Sequence, residues 1–431
     1  MPRRSRRRIY RARRIGTTLG RVFMGLRANR ALAARRGPEE MAERWAAFHR
    51  ESAESIHEMA IELRGLILKG CQSLGTRADV LPPQYVEVLS KLQDRVPPED
   101  FRVVRRSVEH ELGCELKDVF RWFSPEPVAS ASLAQVHEAE LIDGRRVAVK
   151  VQYPGIDRLV KGDLSNLKTL FRSARWLEPD FDLVPLVDEL AEHVPRELNF
   201  LSEGRNAETI AEFFTDRDDV GIPRVHWEHT TRRVLTMEFI DGIKITDTDR
   251  LAAAGIDPRA IAHTLVDVYC EQILRHGFFH ADPHPGNLLV EPLGDGRARL
   301  VLVDFGLAKE LPLHFRKGVV SFAGAMLQRD ANAMANALLE LGFETRDGRP
   351  DALAELAAAV MELVARFRDT ANDGRFQELA DELPERIREN PIVRVPTHLV
   401  LLGRVLGMLS GVNRSLGTRL DLAERILPYV V

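Results

Sequence analysis

The sequence predicts an α+β fold of two lobes, a small antiparallel sheet followed by a larger helical lobe, with a helical extension in front. Short alternating apolar runs occur from Val128 to Gln152 and again at Val234–Ile240, and alternation of this kind is typical of half-buried strands. Helical spacing of apolar residues dominates before residue 120 and after Asp241. The 431 residues exceed one ordinary compact domain, so two lobes and an extension are a reasonable division.

The composition is that of an ordinary globular protein, but the charge is unevenly distributed. Apolar residues make up 45% of the chain and charged residues 29%. Residues 1–37 contain thirteen arginines and no acidic residue, which leaves a net charge of −16 on the rest of a chain whose total is −3. We predict a disordered basic tail at 1–37 with weak affinity for an anionic membrane surface. The alternatives for this segment are a transit peptide and a general attraction to nucleic acid. We do not expect a specific nucleic-acid partner.

Cysteine use and hydropathy limit the class of protein further. Cys71, Cys114 and Cys270 are the only cysteines and form no Cys-x-x-Cys pair, so the sequence predicts neither a disulfide framework nor a zinc cluster and favours a reducing compartment. No window of eighteen apolar residues predicts a transmembrane helix. The most apolar late stretch, His398–Val412, is broken by Arg404 and by glycines, which indicates a buried amphipathic helix. We expect a cytoplasmic protein that reaches a membrane only peripherally, and the sequence does not predict its oligomeric state.

The extension is predicted to span residues 38–120 and to be helical. It begins with Pro38 and two glutamates, a combination suited to a helix N-terminus. Apolar residues recur near helical spacing from Trp45 to Ile67, and two proline pairs at 82–83 and 97–98 then separate shorter helices.

The sheet lobe is predicted to span residues 121–240 and the helical lobe residues 241–431. An Asp143-Gly144 dipeptide joins the first strand-like runs and is a good hairpin signal. The predicted strands are Val128–Ala139, Arg145–Gln152, Val225–Trp227, Val234–Ile240 and short runs at 287–290 and 299–303; helices are predicted at Ile156–Leu177 and Val184–Phe214. A strand hinge between two lobes makes a natural cleft for a nucleotide, and we assign Glu238 and Phe239 at this hinge to nucleotide binding.

The strongest chemical signal is the run His280–Asn287, followed seventeen residues later by Asp304-Phe305-Gly306. Phosphoryl transfer requires metal ions held on the phosphates and a carboxylate near the attacking oxygen. Asp282, five residues before Asn287, is predicted to orient the nucleophile or accept its proton. Asn287 and Asp304 are predicted to hold Mg²⁺, which prefers oxygen ligands. The histidines His280 and His284 also allow a zinc site, although they lack the helical spacing and the glutamate of a zinc protease.

The second signal is Val147-Ala148-Val149-Lys150, an alternating strand that ends in lysine. An ammonium group in this setting is suited to bind ATP phosphates and to pair with a helix glutamate. A conventional kinase has a glycine-rich loop before this strand, whereas this sequence has a small-residue stretch at Ala129-Ser130-Ala131-Ser132. Small residues let the backbone approach phosphates, but alanine resists the positive φ values that glycine allows. We therefore predict a nucleotide held differently from that of an ordinary kinase.

Together these residues resemble the UbiB (AarF) family of atypical kinase-like proteins, over roughly residues 50 to 420. The resemblance rests on the alanine-rich loop at 129–137, the run from Val147 to Gly155, and His280–Asn287 with the Asp-Phe-Gly triplet. It implies a protein-kinase-like fold, ATP and Mg²⁺ as cofactors, and a role in isoprenoid quinone or lipid metabolism. It also implies that Lys150 pairs with a helix glutamate, for which Glu203 is the matching residue.

The resemblance extends to a signature in the helical extension. Lys69 and Gln72 match the family's Lys-x-Gly-Gln motif, with Cys71 in the place of its glycine. Glu197 and Asn199 match its Glu-x-Asp motif, with asparagine in the place of aspartate. In the family this extension is thought to cover the nucleotide cleft and exclude protein substrates, which implies a regulatory role for Lys69, Gln72 and Glu197.

Three functions remain open from the sequence. The first is an atypical kinase or ATPase that supports quinone or lipid metabolism, with membrane lipids or quinone intermediates as partners. The second is a protein Ser/Thr kinase, and the third is a nucleotide-binding scaffold without catalysis. A small-molecule phosphotransferase of the aminoglycoside or choline type shares the catalytic-loop arrangement but not the alanine-rich loop or the extension.

Overall fold

The apolar periodicity of the sequence is realised as helices and mainly antiparallel sheets in the computed structural model of the chain. The structure describes residues 8–75, 81–93, 97–177, 184–345, 353, 354, 357, 392–394, 396–418 and 422–430. Two compact units are present: the first comprises Met1–Gly204 and Arg224–Phe239, and the second comprises Arg205–Pro223 and Ile240–Val431.

The secondary structure is mainly helical. In chain order the helices are α1 (Arg8–Ala33), α2 (Pro38–Leu63), α3 (Gly65–Leu74), α4 (Pro83–Leu89), α5 (Phe101–Leu112), α6 (Ile156–Leu177), α7 (Val184–Glu197), α8 (Phe200–Phe213), α9 (Thr248–Ala253), α10 (Pro258–Cys270), α11 (Leu313–Gln328), α12 (Ala331–Glu340), α13 (Thr397–Ser415) and α14 (Leu422–Val430). The strands are β1 (Phe120–Ser130), β2 (Ala134–Leu141), β3 (Arg146–Gln152), β4 (Val220–Gly221), β5 (Val234–Glu238), β6 (Ile243–Lys244), β7 (Phe278–His280), β8 (Leu288–Gly294), β9 (Arg297–Leu302), β10 (Ala308–Glu310), β11 (Glu344–Thr345) and β12 (Ile392–Arg394). Short 3₁₀ turns lie at Ser90–Gln93, Leu116–Asp118, Trp227–His229 and Pro285–Asn287, and a π-helical turn lies at Glu271–His276.

The sheet of the first unit has four antiparallel strands in the order β1-β2-β3-β5. The hairpin predicted at Asp143-Gly144 is confirmed, since Gly144 has a φ of 90° and its N–H donates to the carbonyl of Leu141. The run from Val128 to Ala139 is not one strand as predicted. It forms the end of β1, a turn, and most of β2.

The helical extension packs its apolar stripe against α6 and α7 in one core. This core contains Leu63, Leu66 and Cys71 of the extension together with Val160 and Val187. The continuous helix predicted from Pro38 to about Leu74 is broken between α2 and α3. Arg64 and Gly65 both have positive φ values there, 52° and 59°, and this left-handed backbone ends α2 before α3 begins.

The basic N-terminal segment is not disordered over the residues that the structure describes. Arg8–Ala33 forms α1, and the prediction of a disordered tail is wrong for these residues. The reason is a buried ion pair: Arg11 and Asp163 on α6 each have only 1% of their side chain exposed. Arg11 Nε donates to Asp163 Oδ1 at 2.7 Å, and its Nη1 donates to the carbonyl of Leu63 at 2.5 Å. Residues 1–7 lie outside the described part.

The second unit is built on a sheet in the order β4-β9-β8-β6, with β7 and β10 forming a separate antiparallel pair. The unit includes residues 205–223, so the predicted segments 121–240 and 241–431 differ from the observed division. The physical reason is that β4 pairs in parallel with β9, and Thr264 of α10 donates to Asp219 at 3.1 Å.

Two further differences concern the predicted helices and strands. The helix predicted at Val184–Phe214 is two helices, α7 and α8. Val225 makes only an isolated bridge to Met237, where a strand was predicted. The amphipathic helix predicted near His398–Val412 is confirmed as α13. Among the described residues, no helix is both long and apolar enough to cross a membrane.

Candidate active site

Lys150 lies on β3 and pairs with a buried glutamate of α8. The strand alternates, so Val149 and Val151 enter the core while Lys150 lies on the opposite face. Its Nζ donates to Glu203 Oε1 at 2.6 Å, and only 2% of the Glu203 side chain is exposed. Nζ also lies 5.3 Å from the ring centroid of Phe200. The structure therefore contains the lysine–glutamate pair that the resemblance implied.

The alanine-rich stretch forms the end of β1 and the turn into β2, before the strand that carries Lys150. Tyr153 holds this turn: its hydroxyl donates to the carbonyl of Ala131 at 3.0 Å and lies 2.9 Å from Ser130 Oγ. No residue from Ala129 to Ser132 has a positive φ, so alanine causes no backbone strain in this turn. Ala129 and Ala131 are exposed and Ser130 half-buried, whereas Ser132 is buried.

Glu238 and Phe239 lie at the end of β5 with their backbone N–H groups already in use. The N–H of Glu238 donates to the backbone carbonyl of Arg224 at 2.8 Å, and the N–H of Phe239 donates to the backbone carbonyl of Arg146 at 3.2 Å. The Arg146 guanidinium also stacks over the Phe239 ring at 4.7 Å. Neither N–H is available to an adenine ring in this conformation.

The motif residues of the extension are only partly brought together. Lys69 of α3 forms an ion pair with Glu197 of α7 at 2.9 Å. Gln72 instead donates to the carbonyl of Leu92 at 2.9 Å, so it joins α3 to the turn after α4. Asn199 donates to Ser202 Oγ at 2.8 Å, while its buried Oδ1 has no hydrogen-bond partner among the described residues.

Cys71 stands where the family motif has glycine, and it is buried in the extension core. Burial raises the pKa of its thiol to about 12. The side chain is thus a neutral apolar group at physiological pH and behaves as a small core residue.

The motif residues of the second unit, Asp282 and Asn287, are positioned by a short strand and a tight turn. The π-helical turn ends at Gly277 (φ 70°), which reverses the chain into β7. After β7, Asp282 and Asn287 contact each other: Asn287 Nδ2 donates to the Asp282 carbonyl at 3.0 Å and lies 3.4 Å from its Oδ2. This bond across five residues fixes the loop and orients the Asn287 amide.

Asp304 follows β9 and lies at the same end of a hairpin as Asn287. Strands β8 and β9 pair antiparallel with Leu288 opposite Leu302, and the N–H of Val303 donates to the carbonyl of Asn287 at 2.9 Å. Asp304 has a φ of 63°, an uncommon conformation for a residue with a Cβ. Its Oδ1 accepts from the N–H of Gly306 at 3.3 Å, which supports this conformation locally.

A buried histidine holds the backbone of Asp304. His280 Nε2 lies 2.8 Å from the Asp304 carbonyl, and since a carbonyl can only accept, Nε2 carries the proton. His280 Nδ1 then accepts from the Tyr269 hydroxyl at 3.2 Å, and the His280 N–H donates to Gln272 Oε1 at 2.8 Å. Burial, with the Asp282 charge, raises the pKa of Tyr269 well above its usual value, so the phenol stays protonated.

The side chains of Asn287 and Asp304 carry oxygen atoms of the type that a magnesium ion prefers as ligands. Because Asn287 Nδ2 donates a hydrogen bond to the Asp282 carbonyl, the amide oxygen of Asn287 is the atom that could hold a metal ion. Mg²⁺ commonly takes one or two protein oxygen ligands and completes its shell with water and substrate phosphates. In the part of the chain that the structure describes, no group of three or more His, Cys, Asp or Glu side chains is arranged for a metal ion.

Sequence reasoning did not assign a role to three residues of this region. Tyr269 and Gln272 lie in an apolar helical stretch whose periodicity marks them only as core residues. Arg404 of α13 lies with Nη2 3.6 Å from Asp282 Oδ1. It is 122 residues from Asp282 in the chain, so no local motif could connect the two. For His280, the available signal in the sequence was its position two residues before Asp282.

Comparison with known proteins identifies the family. A family profile described as ABC1 atypical kinase-like domain matches residues 91–338. The chain belongs to this family. Mouse AarF domain-containing protein kinase 1 is 35% identical over 395 residues, covering 89% of this chain and 74% of the mouse protein. The Arabidopsis thaliana protein ACTIVITY OF BC1 COMPLEX KINASE 8, chloroplastic, is 33% identical, covering 88% of this chain and 54% of that protein.

The fold of the chain is also similar to that of a solved structure. Rv3197 from Mycobacterium tuberculosis, in complex with erythromycin, is 25% identical with a TM-score of 0.61, covering 89% of this chain and 96% of that one. The protein-kinase-like fold with an N-terminal helical region, predicted from the sequence, is therefore confirmed. The resemblance to the AarF family is confirmed as well.

Proposed function

We propose that this ABC1-family protein binds ATP with Mg²⁺ and acts as an atypical kinase or ATPase. The observation that carries the proposal is the contact of Asn287 with Asp282, with Asp304 at the same end of the β8–β9 hairpin. Two oxygen ligands for a hard cation and a neighbouring carboxylate are the groups that phosphoryl transfer requires. The Lys150–Glu203 pair supplies the ammonium group expected to bind phosphates.

Each side chain has a distinct part in the proposed reaction. Lys150 binds phosphate oxygens of ATP, and Glu203 holds its ammonium group in place. Asp282 orients the attacking hydroxyl or water and accepts its proton as the new bond to phosphorus forms. Asn287 and Asp304 are the residues that would hold Mg²⁺, which supplies neutralisation of the charge on the phosphates when bound.

The first test is ATP turnover by the wild type and by Asp282→Asn. Because removal of the proton acceptor leaves binding groups in place, we expect turnover to fall by roughly 10²–10⁴-fold with little change in ATP affinity. Asp295→Asn is the matched control, since Asp295 lies in the exposed β8–β9 turn and carries the same side chain. Equal turnover by wild type and Asp282→Asn would reject Asp282 as the catalytic carboxylate.

The acceptor of the phosphoryl group separates the remaining alternatives. We favour water or a small molecule of quinone or lipid metabolism, which rests on the family resemblance and on the Lys69–Glu197 ion pair of the extension. Phosphate transfer to a generic protein substrate would favour a protein Ser/Thr kinase instead. Tight MgATP binding without turnover, with or without anionic liposomes, would favour a scaffold. The lipid-quinone profile of cells that carry only Asp282→Asn tests the metabolic role.

We also propose that α1 contacts an anionic membrane surface. Its outward face carries Arg13 and Arg21 with two exposed apolar side chains, Ile9 at 84% and Met24 at 66%, a combination that suits a headgroup layer. Deleting the segment would also remove the buried Arg11, so the sharper test is Arg13→Gln with Arg21→Gln in liposome co-sedimentation. Binding equal to wild type would dismiss this role of the helix.

A further inference from the structure

Arg404 supplies a cation to the catalytic loop that the loop itself lacks. The segment from Phe278 to Val290 contains Asp282 but no lysine or arginine. Arg404 Nη2 lies 3.6 Å from Asp282 Oδ1, with 38% of the arginine side chain and 29% of the aspartate side chain exposed. The other carboxylate oxygen, Oδ2, faces the Asn287 amide at 3.4 Å. Within the described part of the chain, each carboxylate oxygen of Asp282 therefore has a polar neighbour.

The position of Arg404 is set by the packing of α13 within the second unit. Leu402, Val405, Leu409 and Val412 are buried at helical spacing and form the inner stripe of the helix. The start of the helix is held by His398, whose ring lies 5.2 Å from that of Phe315 on α11. Arg404 lies on the same helix outside this buried stripe, so the packing of the helix, and not a loop, sets its distance from Asp282.

Among the described residues, Arg404 is partly exposed to solvent, where an anion can approach it. A guanidinium has five N–H donors in a fixed plane, and one carboxylate oxygen at 3.6 Å uses few of them. The neighbouring Gly403 and Gly407 present no side chain, and a Cβ built at either would meet nothing within 4 Å. An oxyanion that approaches Asp282 from solvent therefore meets Arg404 as a planar donor.

We propose that Arg404 binds the γ-phosphoryl group of ATP beside Asp282 and stabilises its charge during transfer. This inference rests on the proposed function. In the reaction the bond from the γ-phosphorus to the bridging oxygen breaks, and ADP leaves with the electron pair. The attacking oxygen forms the new bond to phosphorus and gives its proton to Asp282. Arg404 donates hydrogen bonds to the phosphoryl oxygens throughout and exchanges no proton.

The binding experiment compares MgATP with MgADP by calorimetry for wild type, Arg404→Ala and Arg404→Lys. Because only ATP has the γ-phosphoryl group, Arg404→Ala should weaken ATP binding about tenfold and leave ADP binding unchanged. Arg404→Lys should retain part of the preference because it keeps the charge. The control is Arg414→Ala, which removes an exposed arginine from the same helix. Equal loss of ATP and ADP affinity, or no loss, would overturn the assignment.

The kinetic experiment measures kcat and KM for the same variants in the full chain. Arg404→Ala should lower kcat by about 10²–10³-fold, and added guanidinium ion should restore part of the rate in this variant but not in Asp282→Asn. Increased turnover in Arg404→Ala would mean that the arginine only restrains Asp282, which contradicts the proposal. Equal loss in the lysine and alanine variants without recovery by guanidinium would indicate a structural ion pair and also contradict it. If wild type itself bound neither nucleotide, the proposed function would fail first, a result visible without any variant.

Discussion

Two lysine–glutamate pairs of the first unit differ in burial, and burial decides what each contributes. The Lys150–Glu203 pair is nearly excluded from water, with 12% and 2% of the side chains exposed. The Lys69–Glu197 pair keeps 30% and 17% of its side chains exposed. A buried charge that loses its partner remains desolvated, whereas a more exposed one is stabilised by water.

We therefore expect Lys150→Met to lower the free energy of unfolding by about 3 kcal/mol, and Lys69→Met by at most about 1 kcal/mol. Chemical denaturation of both variants measures the difference. The double variant Lys150→Met with Glu203→Leu should recover most of the loss, because no buried carboxylate is left without the lysine. Equal losses at the two sites would contradict the burial argument.

The sequence identifies Asp304 by its motif, and the structure adds the hydrogen bonds that hold its backbone. The sequence identified Asp304 from its triplet and its distance from Asn287. It did not identify the bonds from Tyr269 to His280 and from His280 to the Asp304 carbonyl. These hydrogen bonds hold the backbone of Asp304 and stabilise its uncommon positive φ.

At the scale of elements, α1 shows that a segment rich in arginine is not necessarily disordered. Glu62 of α2 accepts a hydrogen bond from Arg14 Nε at 2.8 Å and another from the Tyr10 hydroxyl. The hydrogen bond from Arg14, and then that from Tyr10, lower the pKa of Glu62 below its usual value. The folded protein therefore binds fewer protons at Glu62 than the unfolded chain does over the range between the two pKa values.

It follows that Glu62 contributes stability above its unfolded pKa and loses it as the pH falls through the folded pKa. Glu62→Gln should be less stable than wild type by up to about 1 kcal/mol at neutral pH, and the difference should shrink as the pH falls from neutral through the folded pKa of Glu62. Urea unfolding across this range measures it. Glu58→Gln is the control on the same helix, since Glu58 is exposed. A difference that did not depend on pH would refute the linkage.

Replacement by alanine of two glycines, one within a helix and one directly after a helix, should change the free energy of unfolding in opposite directions. Gly411 is exposed on α13 and a Cβ would meet nothing within 4 Å, so Gly411→Ala should raise the free energy of unfolding by about 0.5–1 kcal/mol. Gly75 ends α3, and a Cβ would lie 2.8 Å from the backbone of Leu89 and Ser90. Gly75→Ala should destabilise by about 1–3 kcal/mol. Denaturation of both variants is the measurement, and a shared sign would be inconsistent with these contacts.

At the scale of the whole molecule, the proposed MgATP site should couple ligand binding to stability. A ligand that binds only the folded chain stabilises it by about 2.7 kcal/mol at a hundred times its Kd. We expect this gain with MgATP and its loss on chelation of the metal or in Asp304→Asn. Thermal unfolding at fixed nucleotide concentration measures it. A gain that survives in Asp304→Asn and without metal would show that the nucleotide binds without the predicted ligands.

The sequence predicted most residues of the proposed site because they belong to local motifs. Lys150 at the end of a strand, and Asp282, Asn287 and Asp304 at fixed spacings, could be identified without coordinates. The order of extension, sheet and helices followed from apolar periodicity. Boundaries were less certain: α7 and α8 were predicted as one helix, and the β1–β2 turn was included in one strand.

By itself the sequence determined the family, the kinase-like fold and the residues that carry the proposed chemistry, because short-range spacing and periodicity encode them. Only the tertiary structure decided that α1 is docked by Arg11, that residues 205–223 belong with the second unit, and that Arg404 stands beside Asp282. These three features depend on contacts between residues far apart in the chain. Burial of a charge against a distant partner leaves no periodic trace in either segment, so no local pattern could predict it.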